Sequence, residues 1–167
     1  MSNEKLSLDG LIFEATKVAI KDYILTITLN RPNKKNAINS VMMNEVNYAL
    51  AYAKQERKIR VVIIDAEGDI FCAGADLSNS KSKSNIPKLA NYDDLSLSIR
   101  HLYKPVICKI QGSVLAGALL IVTNATHAIA VKDAKFSAPE IKRGLWPFMV
   151  MAGLFRVMPK RAGLDFI

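Results

Sequence analysis

Three stretches of small residues hold the chain's best prospects for chemistry: Phe71-Cys72-Ala73-Gly74-Ala75-Asp76-Leu77, Gln111-Gly112-Ser113-Val114-Leu115-Ala116-Gly117-Ala118 and Phe136-Ser137-Ala138-Pro139-Glu140-Ile141. Small side chains let a ligand carbonyl approach backbone N–H groups directly, and a helix N-terminus adds unpaired donors and a favourable dipole. Two such donors aimed at one oxygen would make an oxyanion hole. Glu140, in the third stretch, is a carboxylate that could carry a proton. The plainer interpretation is that Ala and Gly permit close packing of helix on strand, and that Glu140 is a helix-start acid placed after a proline near a dipole. Metal chemistry has no footing in the pattern. Cys72 and Cys108 lie far apart with no CxxC pairing, His101 and His127 are scattered, and both cysteines read as small apolar fillers.

The elements that must position these stretches follow from periodicity. Leu11 to Val18 and Tyr23 to Leu29 read as a hairpin turning at Lys21 and Asp22, and Asn30-Arg31-Pro32-Asn33 stops the second strand. Ser40 can cap a helix to about Arg57, with Val46, Ala49, Leu50 and Ala53 as its apolar stripe, while Glu45 falls at mixed spacing. Arg60 to Ala66 reads as a strand buried on both faces. Residues 78 to 88 form a Lys-rich, low-complexity surface loop, followed by a helix from about Leu89 to Tyr103 and a strand from Val106 to Ile110. A small-residue turn then enters an apolar helix, and His127 to Val131 reads as another buried strand. The order is an α/β pattern with irregular segments after strand ends.

Composition bounds the rest. The 167 residues are half apolar, with 23 Lys and Arg against 15 Asp and Glu, a net charge of +8, and a mean hydropathy of +0.14. This excludes disorder, fibrous repeats and a disulfide-stapled miniature. The longest apolar run, Val114 to Val122, is about half of the roughly 20 residues needed to span a bilayer, so no membrane partner is expected. The first ten residues have neither a secretory nor a transit pattern, which points to a cytoplasmic protein. Positive charge alone would favour a polyanionic partner, yet no RNA-binding aromatic motif accompanies it, so nucleic acid is not expected.

Taken together, the motifs resemble the crotonase superfamily, the enoyl-CoA hydratases and isomerases. Asn30 to Ile38 is similar to that family's opening signature, residues 71–77 to its first oxyanion loop, residues 111–120 to its second, and residues 137–147 to its PExxxGxxP segment. The resemblance implies an α/β, crotonase-like (ClpP-like) spiral of repeated ββα units, forming one acyl-CoA-binding domain over residues 1–167. It implies a substrate that is an acyl-CoA thioester, with coenzyme A entering as part of the substrate and no bound cofactor, and a homo-oligomer, trimeric or hexameric. The backbone N–H groups of Ala75 and Gly117 would hold the thioester oxygen. Ala73, Asp76 and Leu77 would line the pantetheine and adenine path with Ala37 at its edge, and Leu115, Leu120, Pro139 and Trp146 would complete the binding surface.

Family hydratases use two glutamates to add water. Here Leu120 occupies the first position and only Glu140 remains, which resembles the family's enoyl-CoA isomerases and implies double-bond migration. Hydration, another reaction of the same hole, and a non-catalytic CoA-thioester-binding scaffold are the alternatives. Trp146 and Phe148 would exclude water from Glu140 and seat an apolar chain. Two departures matter. Ala116 and Ala118 replace common glycines, expected to be tolerated because alanine suits helical dihedrals, and Ser78 replaces a phosphate-meeting lysine that Lys34, Lys35, Lys81 or Lys83 would have to substitute. Family domains also continue beyond the PE segment, so the fold is expected to be C-terminally truncated, exposing an apolar patch from Trp146 to Phe155.

Overall fold

The computed structural model describes residues 5–78, 84–89 and 94–167. The chain opens with a hairpin, β1 (Thr16–Lys21) and β2 (Ile24–Leu29), whose turn residues Asp22 and Tyr23 hold φ of 48° and 68°. Positive φ at both central positions matches the twist of the flanking strands, which is why so short a turn suffices. The first strand starts at Thr16 rather than Leu11. Helix α1 (Ser40–Gln55) follows, and its cap is Asn39, not Ser40: the Asn39 side chain accepts from the Met42 N–H at 2.9 Å.

The ββα unit then repeats. Strands β3 (Val61–Ala66) and β4 (Ile70–Cys72) precede α2 (Leu95–Arg100), β5 (Val106–Ile110) and β6 (Ser113–Leu115) precede α3 (Leu119–Asn124), and β7 (His127–Ala130) and β8 (Phe136–Ser137) precede α4 (Phe148–Val157). A last helix, α5, covers Lys160–Phe166. In each repeat the two strands part: β1-β2-β3-β5-β7 form one sheet, parallel except for the β1–β2 pair, and β4-β6-β8 form a second, all-parallel sheet. This is the expected α/β spiral. The helix expected from Leu89 begins at Leu95 and ends at Arg100; residues 90–93, and the Lys-rich residues 79–83, lie outside the described residues.

The core joins Leu25, Ile27 and Leu29 of β2 to Val62 and Ile64 of β3, Val106, Cys108 and Ile110 of β5, and Val46, Ala49, Leu50 and Ala53 of α1. Two strands differ from expectation. In β3 only Val62 and Ile64 are buried, so one face is packed more tightly than the other. All four residues of β7 are exposed, Ile129 by 65%, because this edge strand pairs with β5 on one side and no described element packs over it. Glu45 falls off the apolar stripe for a physical reason. Fully buried, its carboxylate accepts from Glu14 N (2.8 Å), Ala15 N (3.0 Å) and Thr16 Oγ1 (2.9 Å), tying α1 to the start of β1. A buried carboxylate is tolerable only with such partners.

Candidate active site

The first small-residue loop is held against the segment after β2. Ala73 N donates to Lys35 O, Ile38 N to Gly74 O and Asp76 N to Ile38 O, at 2.8–3.0 Å, with Ile38 bridging Ala75 in parallel. The Ala75 N–H, on an exposed residue within this short ladder, has no acceptor among the described residues. Asn36 anchors the other strand of the ladder. Fully buried at φ 51°, it accepts from Arg31 N through Oδ1 and donates through Nδ2 to Glu67 O and Ile70 O, each at 2.8 Å. Arg31 completes the clamp, donating to Ala37 O and pairing with Asp76 at 2.9 Å, the two side chains only 17% and 9% exposed.

The second loop packs on the first so closely that Gly74 is obligatory. At φ 90°, a Cβ there would stand 2.9 Å from Ala116 Cβ and 3.1 Å from both Gly117 N and Leu115 O. Gly117 lies in the 3-10 turn Ala116–Ala118 that leads into α3, where first-turn N–H groups have no intrahelical partner. A Cβ on Gly117 would meet only Ala75 N, at 3.9 Å. Ala75 N and Gly117 therefore stand next to each other with open space between them. Ala116 does not adopt the helical dihedrals expected of it: its φ is 53°, in the left-handed region. The methyl group is accommodated, at a backbone cost of roughly 1–2 kcal/mol.

A cavity of about 140 Å³ opens at this gap, lined by Ala75, Gly117 and Leu120 with Ile38, Met43, Asp94, Leu95, Ser96 and Ile121. Three of the sequence-derived site residues thus meet. Ala37, Ala73 and Asp76 sit behind the cavity as parts of the ladder and clamp, and the Leu115 carbonyl faces Gly74. Leu77 is 74% exposed and stands outside the cavity's lining. Pro139 opens the 3-10 helix Pro139–Arg143, and Glu140 lies outside the cavity's lining, half-buried, with Oε2 shielded from solvent and without a hydrogen-bond partner among the described residues. Trp146 and Phe148, expected to exclude water from Glu140, meet edge to face at 6.5 Å and are themselves 46% and 75% exposed. Sequence reasoning missed Arg31, Asn36 and Asp94. Both Arg31 and Asn36 lie in the Asn30 to Ile38 segment, but nothing in it gives Arg31 a role, whereas Asn36 before a small-residue segment is a recognisable left-handed turn former.

Electrostatics fits a structural clamp around an open site. Hydrogen bonds from the Ser78 hydroxyl and N–H, and then the Arg31 guanidinium, hold the Asp76 carboxyl down at about 2. Burial pushes the Cys72 and Cys108 thiols up to about 11 and about 12, consistent with packing rather than reactivity. Lys34 and Lys35 are exposed beside the first loop; Lys81 and Lys83 lie outside the described residues. Among the described residues no three His, Cys, Asp or Glu side chains gather into a metal-sized group, and no helix is long and apolar enough to cross a membrane.

The family model for enoyl-CoA hydratase/isomerase matches residues 19–165. The chain belongs to that family. It is 34% identical over 131 residues to the mevalonyl-coenzyme A hydratase of Aspergillus fumigatus, covering 74% of this chain and 47% of that protein. It is 32% identical over 149 residues to the short-chain-enoyl-CoA hydratase of Clostridium acetobutylicum (85% and 54%), and 28% identical over 166 residues to the human mitochondrial Delta(3,5)-Delta(2,4)-dienoyl-CoA isomerase (90% and 50%). A solved enoyl-CoA hydratase/isomerase from Mycobacterium paratuberculosis superposes with a TM-score of 0.79 at 27% identity, over 93% of this chain and 62% of that one. The chain spans about half the length of the curated relatives it matches.

Proposed function

We propose that the chain processes an enoyl-CoA thioester and that its reaction is double-bond migration. The N–H groups of Ala75 and Gly117 would receive the thioester oxygen. Negative charge drawn onto that oxygen stabilises an enolate, which makes the proton on the adjacent carbon removable. Glu140 takes that proton and returns it two carbons further on, so the double bond moves into conjugation with no net gain or loss of atoms. The observation that carries this reading is Leu120: it lines the same cavity as the two amides and offers no carboxylate with which to hold a water. The unpartnered Glu140 Oε2 supports it, being an acceptor with nothing yet to accept. In this reading Ala37, Ala73 and Asp76 shape the wall along which the pantetheine arm passes, with Leu77 at its outer end, and Leu115, Pro139 and Trp146 flank the acyl side.

Hydration is the second reading, favoured by Asp94, whose residue lines the cavity and supplies a carboxylate where Leu120 has none. One assay separates the two. Incubated with a 3-enoyl-CoA, the isomerase forms the conjugated 2-enoyl thioester; incubated with a 2-enoyl-CoA, a hydratase forms the 3-hydroxyacyl thioester, and Asp94→Asn abolishes it.

A further inference from the structure

The cavity at Ala75 and Gly117 is the near end of a longer trough. A second hollow of about 210 Å³ shares Asp94, Ser96 and Leu120 with it and runs to Arg100 on α2 and Arg156 on α4. A third, of about 430 Å³, shares Arg100, Asn124 and Arg156 with the second. The near end is walled mostly by apolar side chains, whereas the far end is cationic. Arg100 and Arg156 are exposed, and among the described residues neither guanidinium forms an ion pair; Arg156 donates only to the neutral Asn124 Oδ1. Lys104, also at the far end, is engaged, donating to the Ala53 and Glu56 carbonyls. Asp94 is the one acid among the described residues lining the three hollows, and it stands at the near end, capping α2 by accepting from Ser96 N at 3.4 Å.

We infer that the acyl group ends in a carboxylate bound by Arg100 and Arg156, so that the substrate is a dicarboxylic acyl-CoA. This rests on the CoA-thioester reading above and names its substrate class. Guanidinium groups present paired N–H donors that match a carboxylate, and two unpaired cations at the end of an apolar trough favour an anion there over a methyl terminus. Reach sets the length. Asn124 lies seven residues past Gly117, two steps of 3-10 turn at about 2 Å and five along α3 at about 1.5 Å, a span of roughly 11 Å that suits an extended acyl chain of about eight carbons.

Calorimetric titration of the full chain with suberyl-CoA and octanoyl-CoA, equal in carbon count and different only at the far end, tests this. Suberyl-CoA binds about tenfold more tightly, the worth of one charge-assisted contact. In the Arg100→Gln/Arg156→Gln double variant that preference disappears while octanoyl-CoA affinity is unchanged, and in the Arg100→Lys/Arg156→Lys variant part of it returns. Equal affinities for the two thioesters, or a preference that survives the double glutamine variant, overturn the inference and leave CoA-thioester binding standing. Binding of neither thioester overturns both.

Discussion

At Ala116 an alanine holds a conformation that glycine adopts freely, with its methyl group against the position a Gly74 side chain would fill. Replacing it relieves the left-handed penalty but adds chain entropy to the unfolded state, so the net gain is smaller than the strain itself. Ala116→Gly should raise the melting temperature by about 2 °C, corresponding to somewhat under 1 kcal/mol for a chain of this size; an unchanged or lower midpoint in a calorimetric scan would show that the loop is not strained. Asp76 makes a pH-dependent claim. Its folded value, about 2, lies below the ordinary 3.8, so the stabilisation is complete above about pH 4 and is lost as pH falls toward 2. Asp76→Asn should therefore melt below the parent protein at pH 7, with the gap closing as pH falls through that window. Parallel melting curves from pH 7 to pH 2 would remove the clamp from the account. The residues that meet the cavity, Ala75, Gly117 and Leu120, were legible because four motifs stand in family order; the small residues alone would equally have served close packing. Arg31 and Asn36 were not, since a clamp built from one ordinary cation and one turn-forming amide is visible only when two distant loops are brought together. Leu77, Trp146 and Phe148 stand well exposed, because an apolar residue type reports what it could pack against and no described element covers them.

The elements obey the period of their side chains where they are packed and depart from it where they are not. β2, α1, β3 and β5 were legible within a few residues because each has a buried face, whereas β1, with only Thr16 buried, begins five residues later than its apolar pattern suggested. β7 has the same apolar pattern, yet it is exposed, because a strand's residue types report what it is suited to pack against and not whether that partner is present. The boundary of α1 is set by one hydrogen bond, from Met42 N to Asn39 Oδ1. Asn39→Ala should cost about 1 kcal/mol, and a denaturant midpoint unchanged in that variant would contradict the assignment. Glu45 shows why helix periodicity alone was an incomplete guide: its carboxylate replaces the water that three donors at the start of β1 would otherwise need.

Taken whole, the molecule joins a cavity lined by Ala75 and Gly117 to a surface on which many large apolar side chains stand exposed. Ile129, Val131, Phe136, Ile141, Leu145, Trp146, Phe148 and Met149 are all more than a third exposed, a concentration of apolar surface that seeks burial. Sedimentation velocity should show self-association that rises with protein concentration, and a single monomer boundary throughout a hundredfold range would contradict it. In the proposed reaction Glu140 alone shuttles the proton while Ala75 and Gly117 hold the thioester oxygen. This is tested most directly by following conjugated 2-enoyl thioester formation from a 3-enoyl-CoA by absorbance, in the parent chain and in Glu140→Gln. Turnover should fall by at least about a hundredfold in the variant, in line with the loss of a positioned acid–base group, while thioester binding persists. Unchanged turnover in Glu140→Gln would contradict it.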